Sequence, residues 1–385
     1  MSIAIRSFAK INLGLKIGPA RPDGFHELRT IYQTLALHDV VRVDVQPGSG
    51  IEIRCSHPRV PLDESNTCYK MAERVLAVLR GTWASGPRGT ADPSAPLGSA
   101  RDDRGKSIRD CTAEAVPFQN RIIIDIDKRL PVQGGLGAAS SNAVAAMLGL
   151  ERALGVRLSG EEKLRMAAEV GSDVPLFLIG GTVLGIGRGE EVYPLPDLPL
   201  QHVVVVTPPI GVSTPKAFAQ WDELAAGNAA LTGADATGTI SKFSHSVFAW
   251  LSQSYYPQAG SPTSSDFERG GVEAGPASGV PALGGDRAET PLLDLVRAGI
   301  ENDFERVVFP EYPELREVKR VLQREGACYA SLSGSGSTLY GLFASAAEAQ
   351  AAAARMSAAG HAAVATMTLT QDEYWKAVAE SVTSN

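Results

Sequence analysis

The segment that most narrows the fold runs from Arg121 to Leu154, where RIIIDIDKRLP passes into the glycine-rich PVQGGLGAASSNA and then into an alanine-rich stretch. Ile122, Ile124 and Ile126 repeat at the two-residue period of a strand, and the alanines that follow suit a helix. A strand entering a helix through glycines offers an anion backbone N–H groups and the positive end of a helix dipole, which is the architecture of a phosphate site. The loop is not a P-loop, because no Lys follows its glycines, and Ser140 stands where a dinucleotide fingerprint has its third glycine. Read alone, it is equally an ordinary helix N-terminus with a flexible entry.

Two further segments carry chemistry. In AKINLGLKI, Ala9 to Ile17, Lys10 and Asn12 lie two residues apart and project from one face of a strand. The plain alternative is a solvated face, where Lys usually sits. In GSDVPLF, Gly171 to Phe177, Asp173 offers a carboxylate, and the plain alternative is a helix N-cap. Phosphoryl transfer needs a polyphosphate cradle, a cation near the transferred group and a carboxylate to orient or deprotonate the attacking hydroxyl. The three segments supply one of each.

The rest of the chain bounds the fold. Alternation from Ile3 to Ile17 predicts an opening strand, and a helix is predicted from Tyr69 to Leu79, capped by Asn66 or Thr67 and stopped at Gly81. Ser159 and Glu162 form a capping box. Pro313 to Arg324 and Ala346 to Ala358 read as helices, with short strands around Ser331 and Leu339 and a last strand at AVATMTL. This is an α+β pattern, with helices on one face of an antiparallel sheet. Residues Thr82 to Pro117 and about Ser252 to Thr290 are rich in Gly, Pro and Ser without apolar periodicity, so both read as insertions, the first a disordered one.

At 385 residues the length suits two domains, divided as 1–165 and 166–385. A net charge of −7 argues against nucleic acid or anionic membrane as partner. The four cysteines form no C-x-x-C pair, and neither a signal peptide nor a membrane-spanning run is evident, so a cytoplasmic protein is expected.

Taken together, the Lys10 and Asn12 strand, the loop Pro131, Gly135, Leu136, Gly137, Ser140 and Ser141, and the late glycine loop Ser333 to Ser337 resemble, in order, three motifs of the GHMP small-molecule kinases. That resemblance implies a two-domain fold with the active site in the cleft between domains. It implies ATP with Mg2+, and leaves the metal ligands open. Within the family, AKINLGLKIGPARPDGFHELRTIYQTLALHD and GSDVPLF are most similar to the branch acting on a cytidine diphosphate-linked methylerythritol. The rival readings are a homoserine or mevalonate-like acceptor, and a nucleotide-binding protein without catalysis.

By the resemblance, Lys10 and Asp173 are the catalytic pair, and Asn12, Phe25, His26, Thr214 and Phe218 bind the acceptor. Asn66, Pro131, Gly134, Gly135, Leu136, Gly137, Ala138, Ala139, Ser140 and Ser141 bind the nucleotide. This chain departs from the family in having Phe25 for a tyrosine, Ser172 for a small apolar residue, and Ala138 and Ala139 for glycines. The two alanines require a loop that avoids positive φ at those positions.

Overall fold

Two long strands, β1 (Ile3–Ala20) and β2 (His26–Pro47), form an antiparallel hairpin that runs through the molecule. The computed structural model describes residues 2–84, 120–132, 134–226 and 301–380. Strand β2 pairs with β1 on one side, and on the other with β4 (Asn120–Asp127) and β5 (Thr182–Ile186). Strand β3 (Gly50–Arg54) adds to β4 in parallel, and β6 (Glu191–Pro194) adds to β5. Helices α1 (Thr67–Ala84) and α2 (Ala138–Leu154) bury their apolar faces on this sheet. There Met71, Val75 and Met147 meet Ile122, Ile124 and Ile126, the one-face set that the two-residue period predicts.

Helix α3 (Gly160–Val170) starts at the expected capping box, with Ser159 Oγ accepting from Glu162 N and the Glu162 carboxylate accepting from Ser159 N. Helix α1 continues past Gly81 to Ala84, although the sequence predicts its end there. A mid-helix glycine costs about 1 kcal/mol, and the buried face of α1 outweighs it. Apart from residues 82–84 of α1, the expected insertion at 82–117 lies outside the described residues up to 119, as does all of 252–290.

A second sheet has the order β10-β7-β9-β8 and is antiparallel throughout: β7 (His202–Val206), β8 (Tyr329–Leu332), β9 (Leu339–Phe343) and β10 (Ala363–Met367). Helices α4 (Thr214–Ala226), α5 (Glu305–Glu311), α6 (Pro313–Arg324) and α7 (Ala346–Ala358) complete this unit, and side chains from all four join its core. The four valines of β7 are all buried: Val204 and Val206 face this helical core, while Val203 and Val205 join Ala9, Ile11, Ile31 and Leu35 of the hairpin. The two sheets therefore share an apolar core.

Because β5 and β6 pair within the larger sheet, a division at 165/166 would cut that sheet. A division that keeps both sheets whole falls between Pro194 and His202. The chain then returns to the first unit through α8 (Gln371–Ala379), whose Tyr374 and Val378 enter the core under α1 and α2.

Candidate active site

The glycine loop sits between β4 and α2. Gly135 and Gly137 have φ of +81° and +67°, and a Cβ at Gly135 would fall 2.2 Å from the carbonyl oxygen of Ser333. Both the left-handed backbone and the close approach of the late loop demand glycine there. Ala138 and Ala139 open α2 in helical conformation, so their methyl groups meet the requirement that the sequence placed on them.

Two segments, β1 and the late loop, converge on this loop. Lys10 N donates to Leu136 O (2.9 Å), Thr338 N donates to Gly134 O (3.1 Å), and Ser333 Oγ donates to Gly135 O (2.9 Å). Buried Asn302 holds the late loop in turn, with Nδ2 donating to Leu332 O and Gly334 O at 2.8 Å each.

A cavity of about 330 Å³ opens over the start of α2, lined by Asn66, Pro131 and the run Gly134 to Ser140, together with Lys128 and Thr67. Nine of the ten residues expected at the nucleotide line it. Ser141 does not: it is 2% exposed within α2, because one step along a helix turns the side chain by about 100°, here toward the core. Asn66 has the double placement that its position suggested. Its Oδ1 accepts from Cys68 N (2.8 Å) at the start of α1, while its Nδ2 donates to Pro61 O (2.7 Å).

A second cavity of about 670 Å³ shares Gly135 with the first and brings together Lys10, Asn12, Phe25, His26, Asp173, Thr214 and Phe218. Lys10 is 2% exposed, so it is not on a solvated strand face. A buried ammonium needs partners. Lys10 Nζ lies 3.2 Å from Asp173 Oδ2 and donates to Asn12 Oδ1 at 2.7 Å. Asn12 Nδ2 donates to Thr30 Oγ1 (2.8 Å), which donates to Gly14 O, so the amide cannot flip without losing a bond.

Asp173 is not a helix cap. The short 3-10 turn at Pro175–Leu178 has Val174 at its N-cap position with no side-chain cap bond, which leaves the carboxylate to the cavity.

At the other end of the cavity the groups are aromatic. His26 stacks on Phe218 with ring centroids 5.0 Å apart and planes 10° from parallel, and its Nε2 donates to Asp222 Oδ1 (2.7 Å). Phe25 is half-exposed, with the Arg188 guanidinium 4.9 Å from its ring centroid. Thr214 Oγ1 is 2.7 Å from Ser335 Oγ, which joins α4 to the late loop.

Tyr32, Arg188 and Ser335 also line this cavity, yet sequence reasoning did not single them out. The available signals were the position of Tyr32 across the hairpin from Asn12, the glycines around Arg188 in GIGRGEE, and the serines of the late loop. Among the described residues no group of three or more His, Cys, Asp or Glu is placed to hold a metal, and no helix is long and apolar enough to cross a membrane.

A long hairpin bearing Lys and Asn, a glycine loop at a helix start and a second glycine loop locked onto the first define a small-molecule kinase of the GHMP class. Its family models match this chain over residues 106–181, for the GHMP kinases N terminal domain, and 288–362, for GHMP kinases C terminal. The 4-diphosphocytidyl-2-C-methyl-D-erythritol kinase of Solibacter usitatus (strain Ellin6076) is 32% identical over 339 residues, spanning 88% of this chain and 80% of that one.

The crystal structure of a 4-(cytidine 5'-diphospho)-2C-methyl-D-erythritol kinase superposes with a TM-score of 0.60 at 24% identity, covering 95% of this chain and 99% of that one. A homoserine kinase from Cytophaga hutchinsonii ATCC 33406 reaches the same TM-score, 0.60, at 18% identity, with 96% and 95% covered, so backbone shape does not select the acceptor. The chain belongs to the GHMP kinases and, within them, to the family of the 4-diphosphocytidyl-2-C-methyl-D-erythritol kinases. It is an ATP-using enzyme.

Proposed function

We propose that this chain transfers the γ-phosphoryl group of ATP to the tertiary 2-hydroxyl of 4-diphosphocytidyl-2-C-methyl-D-erythritol, in the cytoplasm, on the non-mevalonate route to isoprenoid precursors. The observation that carries this reading is the Lys10–Asp173 pair, 3.2 Å apart in a cavity that meets the glycine-loop cavity at Gly135. A polyphosphate along the loop, held by the backbone and the start of α2, would extend its last phosphoryl group toward that junction.

Asp173 would orient the acceptor hydroxyl and take its proton, while the Lys10 ammonium offsets the charge on the transferred group. Asn12, held by Thr30, would fix the hydroxyl's direction. Mg2+ fits a site with no acidic cluster among the described residues, because this ion keeps several waters and binds through substrate phosphates with one or two protein oxygens. The Ser140 hydroxyl, at the start of α2, is the side chain placed to contribute one. When bound, the ion neutralises phosphate charge.

The acceptor side supports a nucleoside-bearing alcohol over a small one. Phe25 offers a half-exposed ring for stacking, and His26 is held in a fixed plane by Phe218 and Asp222. A cavity of about 670 Å³ is ample for such a ligand, whereas homoserine would leave its aromatic end unused. The test is ADP release from ATP and Mg2+ with the cytidylyl-methylerythritol, homoserine or mevalonate as acceptor. Turnover confined to the first is expected. Turnover with another alcohol overturns the acceptor, and none with any overturns catalysis.

A further inference from the structure

Tyr32 has no part in the mechanism above, yet its placement is unusually well built. It stands opposite Asn12 in the β1–β2 register, two strand positions along from the Lys10–Thr34 pair, so its side chain shares the face that carries Lys10 and Asn12. The ring is 2% exposed, and Lys10 Nζ lies 5.4 Å from its centroid. Its hydroxyl reaches Asp173, 141 residues away in sequence, with Oη 3.0 Å from Oδ1.

The two carboxylate oxygens are thus divided: Oδ1 faces the phenol and Oδ2 faces the ammonium, while about a third of the Asp173 side chain stays open to the cavity. Burial, and then the charge of Asp173, hold the Tyr32 phenol well above its ordinary pKa, so the hydroxyl keeps its proton and donates.

The end of β5 and the turn joining it to β6 make the room. A Cβ at Gly185 would lie 2.5 Å from Tyr32 Cε2, and one at Gly189, where φ is +103°, would lie 2.5 Å from the Tyr32 hydroxyl. Either methyl group would push the ring or its oxygen off the carboxylate. The glycines of LGIGRGEE therefore shape a slot for this phenol as well as a turn.

We infer that Tyr32 is a positioning residue for phosphoryl transfer: its hydroxyl donates to Asp173 Oδ1 and fixes the plane of the carboxylate toward the acceptor. The inference rests on the assignment of Asp173 made above. A carboxylate held by one partner can rotate about its terminal torsion, which is broad. Held at both oxygens, it presents a single orientation to the incoming hydroxyl, and misorientation at the reacting atoms is costly in rate.

The test is a double-mutant cycle on the full chain, with Tyr32→Phe and Asp173→Ala alone and combined, reading kcat, the two KM values and the thermal midpoint. Tyr32→Phe keeps the ring against Gly185, so the midpoint and both KM values should hold while kcat falls about tenfold, the scale of a lost hydrogen bond to a charged group. In the Asp173→Ala background the same change should have no further effect. A Tyr32→Phe enzyme with unchanged kcat, or one that loses the same factor in both backgrounds, overturns the role of Tyr32 alone. Full turnover in Asp173→Ala overturns the assignment of Asp173 and this inference with it.

Discussion

Gly135 carries two demands at once. Its φ of +81° lies where a side chain is strained, and a Cβ would enter the Ser333 carbonyl at 2.2 Å, a backbone atom with no rotamer to escape into. Gly135→Ala should therefore part the two glycine loops, raising KM for ATP well above that of the parent while costing about 1–3 kcal/mol of stability. Steady-state kinetics with varied ATP and a urea titration check both; an alanine enzyme with parental KM and midpoint would show that the loops do not need this contact. Other residues were legible for similar reasons of spacing. Lys10 and Asn12 could be paired from the sequence because two-residue spacing on a strand fixes a common face. Asp173 could be chosen only as one of two uses for a carboxylate, and the structure removes the other by denying it a helix to cap. Tyr32 and Arg188 carried only weak signals, a hairpin position and flanking glycines, because their partners are set by register and by a turn far along the chain. Ser141 falls outside the nucleotide cavity because the motif lists serines in sequence while a helix separates them by about 100° per step.

At the level of elements, a helix that escaped the reading of the sequence turns out to hold the segment that carries Asp173. QDEYWKAVA at α8 begins with a capping box, Thr370 and Glu373, whose T-x-x-E pattern was the available signal. Its Tyr374 hydroxyl donates to Phe177 O (2.6 Å) and its Trp375 indole donates to Ile179 O (2.8 Å), both just beyond Asp173. A Cβ at Gly180 would strike the Tyr374 ring at 2.2 Å, so the segment and the helix are fitted face to face. Tyr374→Phe leaves the buried Phe177 carbonyl without its donor and should cost about 1–3 kcal/mol. A urea midpoint lowered at unchanged slope is the expected result, and an unmoved midpoint would mean that α8 adds no hold there. Strands β8, β9 and β10 and helices α6 and α7 were readable because their periodicities are local, whereas α4 and α5 were not read from the sequence. The division between units was not readable, because β5 rejoins β2 across more than a hundred residues and carries β6 with it, and no local pattern records that pairing.

Across the whole molecule, the two sheets act as one body because β1 sends side chains into the cores of both units, Ile5 and Phe8 into the first and Leu15 and Ile17 into the second. Beyond the shared apolar core, residues 301–303 dock on β1: Leu15 N donates to Glu301 O (3.0 Å) and Asp303 N donates to Leu15 O (2.9 Å). The Asp303 carboxylate then meets Lys16 Nζ at 3.0 Å and accepts from Ile17 N at 3.0 Å, with both ionic side chains under a tenth exposed. Glu301, 3.9 Å from the ammonium and largely exposed, is poorly placed to substitute. Asp303→Ala would thus strand a buried ammonium, at a cost of about 3–5 kcal/mol, whereas Lys16→Met with Asp303→Leu removes both charges and should recover most of it. The same junction positions Asn302, whose amide holds the late glycine loop, so the single change should raise KM for ATP as well. Because the units share a core, thermal unfolding of Asp303→Ala should remain one transition displaced to lower temperature. Two resolved transitions would mean instead that the ion pair, and not the core between the sheets, joins the halves of the molecule.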